Sequence, residues 1–168
     1  MMKHTIAILV KDHPGVLARI SSLFNRRRFN IESIAAGHSE KEGITRITIV
    51  TEGDNAILEQ ITKQLNKLID VIRVKDLPKE NSVERELALI KVCTKSVDER
   101  SEIMQLVDTF RGHIVDIEKQ ALTIEITGTQ EKINAKLKLL ESFGILEIAR
   151  TGKISLSRGA QRLLKIDI

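Results

Sequence analysis

The feature that most constrains this chain is a plan that runs through it twice: strand, helix, two strands, helix, strand. In the first half, residues 4–10 alternate, with Ile6, Ile8 and Val10 on one face, as a half-buried strand requires. From about Pro14 to Arg27, Val16, Leu17, Ile20, Leu23 and Phe24 fall on a single helical stripe. Pro14 suits a first helical turn, where its missing N–H costs nothing, which puts Asp12 or His13 at the cap. Arg26, Arg27 and Arg28 stand where positive charge opposes the helix dipole. Residues 30–37 and 44–52 read as strands around a polar turn, His38 to Gly43. Asp54 then caps a helix with the stripe Ile57, Leu58, Ile61, Leu65 and Leu68, and Val71 to Leu77 is a closing strand.

After Pro78-Lys79-Glu80-Asn81-Ser82, a linker by composition, the pattern returns. Residues 86–94 form a strand, and 97–111 a helix with Ile103, Leu106, Val107 and Phe110 inward. Gly112 follows in the position that glycine favours at a helix end. Strands at 113–118 and 121–127, a helix from about Gln130 to Phe143 and a strand from 145 to about 151 complete the second copy. Matching elements lie roughly 80 residues apart. The expected class is therefore α+β: two ferredoxin-like βαββαβ units, each an antiparallel four-stranded sheet with its helices on one face. The expected boundaries are 1–78 for the first domain, 79–83 for the linker and 84–168 for the second domain. Each such sheet leaves one face bare and two outer strands with open edges, which predicts a partner, most simply a second copy of the chain. Ala160 to Ile168 reads as a short amphipathic run with no assigned docking place.

Composition narrows the function. The chain has 168 residues, 42% of them hydrophobic, enough for a core, yet no apolar run long enough to span a membrane. Its opening, Met-Met-Lys-His-Thr-Ile, runs straight into a strand pattern, so no cleavable leader is expected and the setting reads as cytoplasmic. The single cysteine, Cys93, excludes an intramolecular disulfide framework and sits in an apolar strand, as a buried hydrophobe does. A net charge of +4 with no Trp or Tyr leaves little to stack on bases, so nucleic acid is not an expected partner. His4, His13, His38 and His113 are scattered without metal-ligand spacing. Asp98, Glu99 and Glu102 complement a helix dipole rather than forming a catalytic pair. With no nucleophile beside a base, no P-loop and no dinucleotide fingerprint, neither a catalytic residue nor a metal site is expected.

What remains is Asp12-His13-Pro14-Gly15-Val16-Leu17. Taken alone, such a motif is a plain turn. The corresponding turn of the second copy, Thr94-Lys95-Ser96-Val97, lacks it, whereas a demand of the fold should appear twice. Gly15 permits close backbone approach to a ligand. The N–H groups of Gly15, Val16 and Leu17 at a helix start can receive a carboxylate, and Asp12 can accept from an α-ammonium group. Together they describe a receptor for a free amino acid.

On these residues the chain resembles a known family. Residues 4–52 are similar to an ACT domain, the small-molecule sensor of amino-acid metabolism. Over about residues 3–159, "DHPGVLARISSLFNRRRFNIESIAAG", "LEQITKQLNKLIDVIRVKDL", "VERELALIKV" and "SLSRG" resemble, in order, the regulatory (small) subunit of acetolactate synthase, also called acetohydroxyacid synthase. The resemblance implies a non-catalytic subunit that activates a thiamine-diphosphate-dependent catalytic subunit in branched-chain amino acid biosynthesis. It implies feedback inhibition by a branched-chain amino acid, valine first with leucine and isoleucine as alternatives, bound where ACT domains meet in a homodimer. It implies no cofactor in this chain, with thiamine diphosphate, Mg and FAD on the catalytic (large) partner.

Carried over by position, Asp12, Gly15, Val16 and Leu17 come from one protomer, and Asn30 and Ile31 from its neighbour. The Asn30 amide both donates and accepts, which suits a zwitterion. Many valine-sensitive bacterial relatives have Asn where this chain has Asp12, so here a negative charge lies near the ligand's carboxylate. The competing reading is a stand-alone ACT regulator of transcription or of another enzyme. Against the first of these, both halves are used up by βαββαβ units, which leaves no helix-turn-helix segment. An RNA-binding ferredoxin-like module would need aromatics on central strands, where Ile, Thr, Val and Leu stand.

Overall fold

A computed structural model of the chain describes residues 2–163; the predicted amphipathic run beyond Leu163 lies outside the described residues. The described residues fall into two compact units, one reaching to Glu84 and resuming at Lys153, the other Arg85–Gly152. The chain order is β1 (Met2–Lys11), α1 (Val16–Arg27), β2 (Ile31–His38), β3 (Ile44–Gly53), α2 (Asn55–Leu65), β4 (Val71–Asp76) and β5 (Ser82–Cys93). It continues with α3 (Val97–Thr109), β6 (His113–Ile117), β7 (Ala121–Gly128), α4 (Gln130–Leu140), β8 (Ile145–Arg150) and β9 (Ile154–Ser157). The two four-stranded paths, β2-β3-β1-β4 and β6-β7-β5-β8, are antiparallel throughout, with helices crossing between strands as the ferredoxin-like plan requires.

In the first unit β1 is central. Its even residues Ile6, Ile8 and Val10 bury against Val16, Ile20, Leu23 and Phe24 of α1, Ile61 and Leu65 of α2, and Ile47 and Ile49 of β3. Ile6 stands opposite Ile49 and Ile8 opposite Ile47. A one-residue slip would turn these side chains to the other face, so burial fixes the register. Asp54 caps α2 as its sequence position predicts, its carboxylate accepting from the Ile57 amide at 2.8 Å.

The odd residues of β1, Thr5, Ala7 and Leu9, are buried as well. The sequence reading left this face bare for a second copy; in the first unit the chain covers it itself. Leu163 packs with Ala7, Leu9, Ile44 and Leu77. The Arg46 guanidinium donates to the Ser155 carbonyl at 2.8 Å, and the Lys153 amide donates to the Ser33 hydroxyl at 3.0 Å. The Lys153 ammonium pairs with Glu84 at 3.0 Å, and the Thr5 hydroxyl donates to the same carboxylate. Lys75 donates to Ser157 and to Gln161.

The boundaries shift accordingly from those read off the sequence. Residues 79–83, read as a linker, hold a 3-10 turn at Lys79–Asn81 and the start of β5, and β9 pairs with β5. Polar, Pro-initiated composition describes a solvated 3-10 turn as well as it describes a linker. Residues from Lys153 on, read as part of the second domain, group with the first unit.

The core of the second unit runs from Ala88, Ile90 and Val92 on β5 to Ile103 and Val107 on α3, Leu122, Ile124 and Ile126 on β7, and Ile133, Leu137 and Leu140 on α4. Arg150 forms a two-pronged pair with Glu86, at 2.7 and 2.8 Å, which ties β8 to β5. The helix read as running to 111 ends at Thr109, and the left-handed residue beyond it is Arg111 (φ 55), not Gly112. Gly112 is favoured for another reason. A Cβ there would lie 3.0 Å from the Glu125 carbonyl, so any side chain would make the β7 backbone give by a few tenths of an ångström. Among the described residues no helix is long and apolar enough to cross a membrane.

Candidate functional site

The β1–β3 ladder closes at Lys11 opposite Ile44, and the chain then turns. The Asp12 amide donates to the Gly43 carbonyl at 2.8 Å, and the His13 amide to the Lys11 carbonyl at 3.2 Å. Gly15 follows with φ 90 and ψ −11, a left-handed conformation, and is the N-cap of α1. This corrects the sequence reading, which placed Pro14 inside the helix and Asp12 or His13 at its cap. A left-handed residue cannot belong to the helix, so α1 starts at Val16 and Pro14 stays in the turn.

No side chain caps α1, and no acidic residue occupies its first turn. The first bond of the ladder runs from the Arg19 amide to the Gly15 carbonyl at 3.0 Å. The amides of Val16, Leu17 and Ala18 therefore precede the ladder, at the positive end of the helix. A Cβ on Gly15 would meet nothing within 4 Å, so the turn is open on the side where that Cβ would point. Asp12 stands beside that space with its carboxylate partly exposed, 3.3 Å from the His38 imidazole. Val16 is buried and Leu17 is 46% exposed, which leaves an apolar side chain at the rim.

A cluster that the sequence reading missed holds the turn. Asp70, buried just before β4, accepts from His13 Nε2 at 2.8 Å and pairs with the Arg19 guanidinium. Its carbonyl accepts from the Lys11 amide at 2.9 Å. One residue thus fastens the end of β1, the turn and the first turn of α1. His13 Nδ1 lies 3.1 Å from the Pro14 carbonyl, so both ring nitrogens face oxygen acceptors, which the doubly protonated ring alone satisfies. The hydrogen bond to Pro14, then that to Asp70, raises the His13 pKa above its ordinary value. Burial pushes the Asp70 carboxyl up, but the hydrogen bond from His13 and the Arg19 charge outweigh it and hold it below the usual range. Asp70 reads in the sequence as an ordinary turn residue between Ile69 and Val71. Nothing local announces a partner 57 positions away.

The structure brings Asp12, Gly15, Val16 and Leu17 together. It does not bring Asn30 and Ile31 to them within one protomer. Ile31 pairs with Thr51, the partner of His4, whereas His38 pairs with Thr45, the partner of Val10. Asn30 therefore lies beyond the opposite end of β2 from Asp12, the seven steps from Ile31 to His38 alone spanning about 23 Å at the usual rise per strand residue. Asn30 is exposed, its carbonyl accepting from the Thr51 hydroxyl at 2.6 Å, and Ile31 packs partly on the core. β2 is an outer strand of its sheet.

Comparison with known proteins places these features in context. A family model for the small subunit of acetolactate synthase matches residues 85–159, and one for the AHAS small subunit-like ACT domain matches 6–73, which includes the turn and Asp70. A probable acetolactate synthase small subunit of Methanothermobacter thermautotrophicus is 56% identical over 160 residues, 95% of each chain. The acetolactate synthase small subunit of Mycolicibacterium smegmatis is 53% identical over 156 residues, 93% of this chain and 91% of that one. The crystal structure of the acetolactate synthase small subunit from Thermotoga maritima has a TM-score of 0.90 at 43% identity, covering 95% of this chain and 99% of its own.

Proposed function

This chain belongs to the acetolactate synthase small-subunit family, and from that premise we propose that it binds a catalytic acetolactate synthase subunit, activates it, and confers inhibition by a branched-chain amino acid. The observation that carries the ligand reading is the uncapped start of α1 behind left-handed Gly15, with Asp12 at its side. A free amino acid supplies the complementary groups: its carboxylate meets the Gly15, Val16 and Leu17 amides, and its ammonium meets Asp12. The Asp12 charge draws the ammonium and repels the carboxylate, so the ligand has one orientation. Its branched side chain lies toward Leu17. A missing methylene changes apolar binding by about 1–3 kcal/mol, so valine should outcompete alanine.

The second protomer completes the site. Antiparallel pairing of β2 with its copy, about a two-fold axis between Ile34 and Ala35, sets Ile31 of the partner subunit opposite His38. The partner's Asn30 then falls beside Asp12, the two groups that a single protomer keeps apart. A ligand lying across this seam controls the enzyme through the difference in its affinity for two arrangements of the assembly.

Calorimetry with valine, leucine and isoleucine on the chain, alone and bound to its catalytic subunit, tests this reading. Saturable binding of valine is expected, together with a valine-dependent fall in the activity of the complex. If none of the three binds either preparation, the sensor reading is wrong. If the chain leaves the catalytic rate of the large subunit unchanged, the activation reading fails.

A further inference from the structure

The turn from β5 to α3 holds, in the second unit, the place that the β1–α1 turn holds in the first. It borders a cleft of about 600 Å³ whose lining includes Thr94, Lys95, Val97, Arg100 and Lys119 and no carboxylate side chain. We propose that this cleft binds the oxyanion of a small metabolite, a carboxylate or a phosphate, through the start of α3, the Thr94 hydroxyl and the cations of Lys95, Arg100 and Lys119.

Two unsatisfied groups carry the argument. Thr94 is 3% exposed, and its hydroxyl is buried without a hydrogen-bond partner although its amide is paired with the Gln120 carbonyl. Arg100 is pinned at its far end, where Nη2 donates to the Glu118 and Lys119 carbonyls at 2.9 and 2.5 Å, while its buried Nε–H has no acceptor. Buried donors left in this state are uncommon in folded proteins and point to a missing acceptor. Lys95 and Lys119 add exposed positive charge that no ion pair neutralises among the described residues.

The helix start contributes differently here than in the first unit. The Ser96 hydroxyl caps the Glu99 amide at 3.1 Å, and the Glu99 carboxylate turns back to the Lys95 amide at 2.8 Å. The amides of Val97 and Asp98 remain ahead of the ladder, whose first bond runs from Arg100 to the Ser96 carbonyl. The site therefore holds its ligand mainly by side-chain cations. No acidic side chain lines the cleft as Asp12 borders the first turn, and the nearby Glu99 carboxylate is held by the Lys95 amide, so the cleft favours a simple anion over a zwitterion.

The test is an amide-resolved NMR titration of the full-length, nitrogen-15-labelled chain. Inorganic phosphate and acetate are added separately, against chloride at equal ionic strength. Saturable shifts at Thr94, Lys95 and Val97 are expected with at least one of the two oxyanions, and the one that saturates first identifies the ligand's charged group. Arg100→Gln and Lys119→Gln should each weaken binding about tenfold, the loss of one charge-assisted contact. Thr94→Ser should bind and Thr94→Val should not. Because Lys119 is exposed, its replacement leaves the fold intact and keeps the result readable. Gly15→Asp should leave these shifts unchanged, which separates this site from the one in the first unit. Equal, unsaturable drift with all three anions, or saturation that survives both Arg100→Gln and Lys119→Gln, overturns the proposal.

Discussion

Replacing Gly15 by alanine and by asparagine isolates the backbone contribution to the β1–α1 turn. Gly15 has φ 90, and a Cβ built on it meets nothing within 4 Å. Alanine therefore has room, and its cost is the left-handed conformation itself, about 1–2 kcal/mol for an L-residue. Asparagine is larger, yet its short amide can hydrogen-bond locally in this conformation, so it should cost less than alanine. In a unit of about 100 residues, 1 kcal/mol corresponds to roughly 4–8 °C in Tm. The chain has no Trp or Tyr, so urea and thermal unfolding are best followed by far-UV circular dichroism. The expected order of stability is Gly, Asn, Ala. Gly112→Ala supplies the contrast, because its cost arises from a contact 3.0 Å from the Glu125 carbonyl and asparagine would worsen it. Should Gly15→Asn destabilise as much as Gly15→Ala, crowding rather than dihedral strain would be the cause. An alanine variant as stable as the parent would mean that the turn does not hold a positive φ.

Other consequences are checked more briefly. Gly15→Asp places a carboxylate where the ligand's own should lie; it should abolish valine inhibition of the complex and spare activation, and joint loss of both in a stable variant argues against separate roles. Asn30→Ala should raise the valine concentration needed for half-inhibition, while an unchanged dose response removes Asn30 from the site. Leu163 is 7% exposed against Ala7, Leu9, Ile44 and Leu77, so Leu163→Ala should cost about 2–5 kcal/mol in urea unfolding. A loss under about 0.5 kcal/mol, the range of ordinary surface changes, would mean that the returning segment does not cover that face in solution. His13 has a raised pKa, so its contribution to stability is full below its unfolded value near 6.5 and is lost as pH rises through the folded value. Thermal scans should show this decline in the parent and not in His13→Gln; identical profiles would remove His13 from the clamp.

The alternation of Ile6, Ile8 and Val10 and the stripe from Val16 to Phe24 made the strands, helices and core legible, because burial of apolar side chains imposes its period on the sequence. The same logic explains what was hidden. β9 is four residues long, and its contacts with the first sheet use the Ser155 carbonyl and the Ser157 hydroxyl, which carry no apolar signal. Pro14-Gly15 was legible as a turn, but which residue ends it depends on a dihedral angle that glycine permits without announcing. The Asp70 clamp joins residues far apart in the chain, and a single carboxylate between two isoleucine- and valine-flanked positions looks the same whether or not a histidine comes to meet it.

The coverage of the first sheet also bears on how two protomers can meet. Its helical face is packed by α1 and α2, and the returning segment covers part of its other face around Ala7 and Leu9, which leaves the edge strands among its most open parts. The two edges differ in chemistry. β4 carries Arg73 and Lys75, the kind of charge that blunts an open edge against pairing. β2 carries one acidic residue, Glu32, paired with Lys3, and then runs Ser33-Ile34-Ala35-Ala36-Gly37 without a charge, small side chains that let another backbone approach. An edge so exposed to pairing is a liability in a monomer and an asset in a dimer. In the proposed dimer, pairing at β2 would also return Asn30 and Ile31 to the α1 amides, from which one protomer separates them by the length of a strand. On the reading proposed above, the open edge of β2 and the site shared between protomers would use the same contact, and a ligand bound there would report on how the two copies are joined.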